Sequence, residues 1–348
     1  MEKERTIRVL IIEDDPLITC VYEDELSESD NIEFVTTSFE TMNEGLEAMQ
    51  KNEYDVLLLD LNLPDSDYLQ TIESLPGITA KLPVVIMTST SSELLALKAV
   101  NLGSQDFLNK AQIEKGILIR SILYAVERHQ LNLQLKREKQ KSEDLLNNIL
   151  PVSIADELKH HGKVNARFFD DVSVMFVDFV NFTSSSSSMN PEEIVRELHT
   201  CFSEFDAISE KYGIEKIKTI GDAYMCVGGI PVEDKNHLKH LLQAATEMIE
   251  FSNNRFQENN NKNLPAWQAR IGIHRGAAVA GVVGTRKFTY DIWGDTVNTA
   301  SRMESNSASG RINVSDAVYE SMKNEFQFEF RGEIEAKGKG KIKMYFLK

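Results

Sequence analysis

Cysteine is scarce. Cys20, Cys201 and Cys226 are the only ones among 348 residues. They are too few and too scattered for a disulfide framework, and they fit a reducing compartment. Long apolar runs are missing as well. None approaches the ~20 residues that cross a bilayer, and the opening Met1–Thr6 lacks the apolar core of a signal peptide. Positive charge falls short: Lys plus Arg number 38 against 54 Asp plus Glu, a formal net charge of −16. Broad nucleic-acid and anionic-membrane surfaces reward basic patches, so neither partner is expected. The remaining expectation is a cytoplasmic chain, 42% apolar. At ~150 residues per domain it has room for two domains without disulfide or metal staples.

Short apolar runs at 7–12, 32–37, 56–59 and 84–87, with a weaker one at Phe107-Leu108, alternate with helical patterns at 17–26 and 40–51. Such alternation predicts a five-stranded parallel sheet, doubly wound, with its working edge at the carboxyl ends of the strands. Glu13, Asp14 and Asp15 follow the first strand. Asp60 ends the third, Thr88 the fourth, and Lys110 follows the fifth. Converging carboxylates repel unless a cation lies among them, and oxygen-only ligands favour Mg²⁺. With an ammonium and a hydroxyl on the same edge, the set suits phosphoryl transfer to Asp60. VLIIEDDP (9–16), DVLLLDLNLPD (55–65), PVVIMTS (83–89) and FLNK (107–110) resemble a response-regulator receiver domain. The resemblance covers about 1–125. It implies that Asp60 accepts phosphate from a sensor histidine kinase and that Asp14 and Asp15, with Asp60, hold Mg²⁺. It also implies that Thr88, Phe107 and Lys110 form the switch. Ala111 stands where that family usually has proline.

From Gln112 to Leu150 there is no proline and only Gly116. Ile119, Ile122, Val126 and Leu133 keep a rough heptad that Arg137 and Gln140 interrupt. Leu145, Leu146, Ile149 and Leu150 restore an apolar stripe before Pro151. The expectation for 126–164 is a helical linker with a short, marginal parallel coiled coil. LLNNILPVSIADELK (145–159) resembles the transducing segment that precedes class III nucleotide cyclase domains.

Val172–Val177 reads as a strand running into Asp178. Asn190 and Pro191 open a helix with an apolar face at Ile194, Leu198, Phe202, Phe205 and Ile208, closed by Gly213. Two strands around Ile220-Gly221-Asp222 read as a hairpin, which can bring Asp222 beside Asp178. Two carboxylates at such a corner can hold two divalent ions ~3.5–4 Å apart for in-line attack at phosphorus. Five strings in order, VMFVDFVNFT (174–183), EKIKTIGDAYM (215–225), IGIHRGAAVAGVVG (271–284), YDIWGDTVNTASRME (290–304) and KGKG (337–340), resemble the class III adenylyl and guanylyl cyclase catalytic domain. The resemblance covers about 165–348. It implies an α+β, ferredoxin-like fold with an antiparallel-centred sheet, working as a homodimer with shared sites. Asp178, Asp222 and the carbonyl of Phe179 would hold two Mg²⁺ or Mn²⁺ ions, with Thr183 and nearby backbone at the phosphates. Asn298 would orient the ribose, Arg302 stabilise charge at the α-phosphate, and Lys337 contact the terminal phosphates. Ala277 lies where some relatives have a basic residue; Arg275 is two positions earlier.

Lys218 and Asp291 match the family's base-selecting pair. Adenine offers an acceptor at N1 and a donor at its amino group, which a lysine and an aspartate complement; guanine has the opposite polarity and would leave buried groups unmatched. The expectation is therefore an adenylate cyclase controlled through Asp60, making 3′,5′-cyclic AMP and pyrophosphate from ATP. The alternatives are a guanylate cyclase and a catalytically silent cyclase-like dimerisation or nucleotide-binding module. No Gly-Gly-Asp/Glu-Glu-Phe string supports a diguanylate cyclase. His160, His161, His237 and His240 lack completing ligands for zinc and are expected to be solvated. Ser184–Ser188 is expected to be a loop.

Overall fold

The computed structural model describes residues 5–89, 93–113, 116–182, 190–262, 264–284, 288–336 and 340–348. Thr183, Ser184–Ser188 and Lys337 lie outside the described residues. The chain divides into two units, Met1–Ser142 and Glu143–Lys348. No helix among the described residues is long and apolar enough to cross a membrane.

In the first unit, strands and helices alternate as β1 (Arg5–Ile12), α1 (Pro16–Ser27), β2 (Ile32–Phe39), α2 (Met42–Lys51), β3 (Val56–Asp60), α3 (Tyr68–Thr79), β4 (Val84–Thr88), α4 (Glu93–Asn101) and β5 (Asp106–Asn109). The sheet order is β2-β1-β3-β4-β5 and every pairing is parallel. All five residues of β3 and of β4 are buried. That is why these strands read as unbroken apolar runs and not as alternating ones. Two cores flank the sheet, one around Leu57, Leu59, Ile72 and Ile86, the other around Ile7, Ile11, Leu58 and Leu118.

α5 (Ile117–Asn147) is one continuous helix of 31 residues. Its first turns bury Leu118, Ile122, Ala125 and Val126 in the core of the first unit. Ile119, Ile122 and Val126 therefore serve that core and not a coiled-coil seam, which corrects the heptad assigned from sequence. From Gln130 to Ser142 every residue of the helix is exposed.

The second unit contains α6 (Val152–His161), β6 (Arg167–Phe179), α7 (Pro191–Lys211), β7 (Glu215–Ile220), β8 (Ala223–Gly228), α8 (His237–Asn261), β9 (Ala269–Val283), β10 (Thr289–Trp293), α9 (Asp295–Ser305), β11 (Ile312–Ser315), α10 (Asp316–Met322), β12 (Phe328–Ala336) and β13 (Gly340–Leu347). The sheet runs β12-β13-β11-β9-β6-β8-β7, with β10 paired to β9. Its centre, β9-β6-β8, is antiparallel. One core holds Phe205, Ile208, Leu241, Leu242 and Met248 of α7 and α8 against Met175, Ile271 and Ile273. A second joins Leu150, Ile154 and Ala155 to Phe169, Val174, Met225, Tyr290, Ile292 and Ala300. α6 thus packs into the same cluster as β10 and α9, the two elements that bear Asp291 and Asn298.

Candidate functional site

At the carboxyl edge of the first sheet, Lys110 Nζ lies 2.6 Å from Glu13 Oε2 and 2.8 Å from Asp60 Oδ2. Glu13, Asp60 and Thr88 are all buried, and Phe107 packs partly against the core beneath. Burial pushes the Glu13 carboxyl up and Lys110 only partly pulls it back. Burial acts against the Lys110 charge too, yet bonds from Asp60 and Glu13 outweigh it and leave the ammonium raised. Among the described residues, the potential metal ligands that come together in a group of three are Glu13, Asp14 and Asp60, with ligand atoms within 4.8 Å of one another. An all-carboxylate set this crowded fits a hard divalent cation. Asp15 is not in the group. It caps α1, its Oδ1 accepting from Leu17 N at 2.9 Å, so Glu13 stands where the sequence reading put Asp15.

In the second unit, β6 pairs with β8 down to Val177↔Tyr224. The next residue, Asp178, therefore reaches the level of the β7–β8 turn that carries Asp222. Gly221 occupies that turn at φ 65°, a conformation side-chain-bearing residues resist. Asp222 is raised by burial and then by the neighbouring Asp178 charge. Arg270 was not singled out in the sequence. Its Nη2 donates to Asp178 Oδ2 at 2.7 Å, and its Nε donates to the same oxygen at 3.2 Å. Glu304, also missed, brings Oε1 to 2.7 Å from Arg270 Nε without hydrogen-bonding geometry. Burial and Asp178 push Glu304 up to about 7. Glu304 is held there because α9 lies tight on β9: a Cβ on Gly272 would come within 1.8 Å of Glu304 N. Asp178, Asp222 and Glu304 gather around one guanidinium, and oxygen donors in excess of cations fit divalent metal.

The Phe179 ring is buried and stacks on Phe202 and Phe205 at 6.2 and 6.3 Å between centroids. With the ring committed to the core, any ligand contact from Phe179 would come from its backbone. On the β7 and β10 side, Lys218 Nζ and Asp291 Oδ2 are 2.5 Å apart, with Asp291 Oδ1 accepting from Ile292 N at 2.9 Å. The two residues are 73 apart in sequence and meet directly. Asn298 and Arg302 are one turn apart on α9, the first exposed and the second half-buried. Arg302 Nη1 is buried with no hydrogen-bond partner. A desolvated cationic donor without an acceptor suits an incoming anion.

Arg275 is committed elsewhere: Nε and Nη2 donate to Asp171 at 2.6 and 2.5 Å, and Nη1 donates to Ser321 at 2.8 Å. Of the histidines, His237 departs from expectation. It is buried, with Nδ1 2.8 Å from Ser173 Oγ and Nε2 3.3 Å from Asp171 Oδ2.

Residues 164–348 match the family described as the adenylate and guanylate cyclase catalytic domain, and residues 9–121 match the response regulator receiver domain. The chain belongs to the adenylate and guanylate cyclase family. Its receiver domain precedes the cyclase domain. An adenylate cyclase of Mycobacterium tuberculosis is 40% identical over 234 residues, 67% of this chain and 52% of that protein. The guanylate cyclase soluble subunit beta-2 of Homo sapiens is 34% identical over 283 residues, 81% of this chain and 44% of that protein. The chain therefore spans about half the length of the curated relatives it matches. Among solved structures, the adenylyl cyclase CyaB from P. aeruginosa shares 26% identity and a TM-score of 0.50, covering 53% of this chain and 96% of that one. In the cyclase domain the geometry forms two groups. One is acidic around Arg270; the other is the Lys218–Asp291 pair.

Proposed function

We propose that the chain is a receiver-controlled adenylate cyclase acting as a homodimer, converting ATP to 3′,5′-cyclic AMP and pyrophosphate. The observation that carries the reading is the Lys218–Asp291 pair at 2.5 Å. Its ammonium offers a donor for adenine N1, and its carboxylate offers an acceptor for the adenine amino group. Guanine would meet a donor with a donor and an acceptor with an acceptor.

Asp178, Asp222 and the Phe179 carbonyl would hold two divalent cations, Mg²⁺ or Mn²⁺. Bound there, the cations supply charge neutralisation for the triphosphate and acidify the ribose 3′-hydroxyl. Asn298 positions the ribose. The ribose 3′-oxygen gives its proton to solvent water and bonds to the α-phosphorus, and the bond from that phosphorus to the bridging oxygen breaks, releasing pyrophosphate. Arg302, whose buried Nη1 has no acceptor, meets the charge that develops on the α-phosphate. Thr183 and Lys337 take the remaining phosphate contacts. The acidic group and the base-reading pair have separate partners within one chain, which supports sites completed by a second copy.

In the receiver, Asp60 is the phosphoacceptor, with a sensor histidine kinase as donor and Mg²⁺ held by Glu13, Asp14 and Asp60. A phosphoryl group on Asp60 competes with Glu13 for the Lys110 ammonium, and Thr88 and Phe107 follow that shift. The decisive experiment gives purified protein equimolar ATP and GTP with Mg²⁺ or Mn²⁺ and identifies the product. Cyclic AMP is expected; predominant cyclic GMP, or no cyclic nucleotide with either metal, overturns the reading. Turnover with and without BeF₃⁻, in wild type and Asp60→Ala, tests control through Asp60. The effect is expected to be about 5- to 150-fold in wild type and absent in the variant.

A further inference from the structure

The pairing of β6 with β9 makes Asp178 and Arg270 direct cross-strand neighbours, and such neighbours project from the same face of a sheet. Gly272 follows two residues later on β9 and shares that face. Without a side chain there, the backbone of α9 can lie against the strand, which brings Glu304 to the Arg270 guanidinium. One cation thus stands between two carboxylates whose backbones are fixed.

The two carboxylates hold it differently. Asp178 Oδ2 accepts from Arg270 Nη2 at 2.7 Å and from Nε at 3.2 Å. A carboxylate oxygen has about two lone-pair sites, so both are taken, and a metal ion gains no ligand there until the guanidinium withdraws. Glu304 Oε2 accepts from Ser305 Oγ at 3.1 Å. Its Oε1 is buried and has no hydrogen-bond partner among the described residues. That oxygen is 2.7 Å from Arg270 Nε, whose N–H is aimed at Asp178 instead. A buried acceptor left unpaired is costly, and a turn of the guanidinium would satisfy it with neither strand moving.

We propose that Arg270 is a two-position counter-ion for the metal site, holding Asp178 until a divalent cation takes that carboxylate and then pairing with Glu304. The proposal rests on the metal role of Asp178 and Asp222 read above. Arg270 is a positioning residue and touches no substrate in this scheme. It offsets the charge that Asp178 directs at Asp222 before loading, and Glu304 receives it afterwards.

The test uses the full chain with Asp14→Asn and Asp60→Asn, so that the receiver carboxylates do not compete for metal. Mn²⁺ affinity is measured without nucleotide, from the paramagnetic resonance of free Mn²⁺ and from the Mn²⁺ dependence of the melting temperature. Arg270→Gln releases Asp178 and should tighten Mn²⁺ binding by about threefold or more, a direction that mere damage to the site does not produce. Glu304→Gln removes the receiving charge and should weaken binding by about fivefold or more. In the double variant that loss should shrink to within about twofold, because Glu304 has no guanidinium left to receive. In EDTA, Arg270→Gln should melt below its parent, and Mn²⁺ should close the gap. If Arg270→Gln does not fold, Arg270→Lys carries the comparison: it keeps the charge, loses the two-nitrogen grip, and should still bind Mn²⁺ more tightly than the parent. Weaker binding in the Arg270 variants overturns the proposal. So does an equal Glu304→Gln loss with and without Arg270, which would mean that Glu304 acts as a ligand or through its charge alone. Asp178→Asn and Asp222→Asn separate the two levels. If the parent binds no Mn²⁺, or these variants bind it as the parent does, the metal reading fails and the counter-ion with it. If they abolish binding while the Arg270 and Glu304 outcomes fail, the counter-ion falls and the metal reading stands.

Discussion

Base selection gives the most quantitative prediction. Lys218→Glu replaces an ammonium 2.5 Å from Asp291 Oδ2 with a carboxylate. Two carboxylates ~3 Å apart repel by roughly 1.4–5.5 kcal/mol for effective dielectrics of ~80 to ~20. The Lys218 side chain is 35% exposed and the Asp291 side chain 15%, which favours the middle of that range. The two proposed adenine contacts would be lost or reversed at the same time, at ~1–3 kcal/mol each. The single variant should therefore lose ATP turnover by ~100-fold or more and gain little with GTP, because the repelling Asp291 distorts the pocket. Adding Asp291→Ser removes the repulsion, and GTP activity should emerge. The assay is kcat/KM for both nucleotides in wild type, each single variant and the double. The two changes should be non-additive by at least ~1 kcal/mol, since the groups touch. An unchanged ATP-to-GTP ratio in the double variant refutes the reasoning. So does full conversion to GTP by Lys218→Glu alone.

Three further outcomes follow from the same geometry. Asp222→Asn and Arg302→Ala should each abolish turnover, yet an equal mixture should regain about a quarter of it, since half the dimers are mixed and each keeps one intact site; a dead mixture in which heterodimers demonstrably form counts against shared sites. Gly272→Ala would drive a Cβ into the Glu304 backbone, and overpacking of ~1–3 kcal/mol should lower the melting temperature of the cyclase by ~2–12 °C; an unchanged melt in calorimetry would refute the tight contact. Burial raises Glu215 from 4.5 to about 7, so between those values the folded state holds a proton that the unfolded chain has lost, and stability falls as pH rises through the window. Glu215→Gln should flatten that fall in melts at pH 5 and 7.5, and identical slopes would dismiss the burial argument.

Much of this was legible from residues alone, for identifiable reasons. The receiver strands are buried on both faces, so continuous apolar runs located them, and the sheet edge then ordered Asp60, Thr88 and Lys110. The Glu13-Asp14-Asp15 run was ambiguous because adjacent carboxylates look alike. The pair Asp15-Pro16 carried the missing signal, since an aspartate before a proline at the first helical position marks a cap. The heptad assigned to Ile119, Ile122 and Val126 does not hold as a seam, because α5 begins inside the receiver core. A pattern dominated by Ile122 and Val126 reports that core. Arg270 and Glu304 escaped because neither shows a spacing signature. Arg270 sits just before the Ile271–Gly284 string, Glu304 closes the Tyr290–Glu304 string, and only the close approach of α9 to Gly272 brings them together. His237 looked like a surface histidine until its contacts with Ser173 and Asp171 placed it inside.

The cluster that holds Leu150, Ile154 and Ala155 of the entry segment together with Ile292 and Ala300 restricts how any upstream signal can be heard. Interiors packed at crystal-like density do not compress; they jump between arrangements. A push on the entry helix cannot fade within a few ångströms. It would re-seat β10, which bears Asp291, and α9, which bears Asn298 and Arg302, in one movement. Stimulus and inhibition would then alter substrate affinity and chemical rate together, and a mutation that softened the cluster would make the enzyme deaf before it made it inactive.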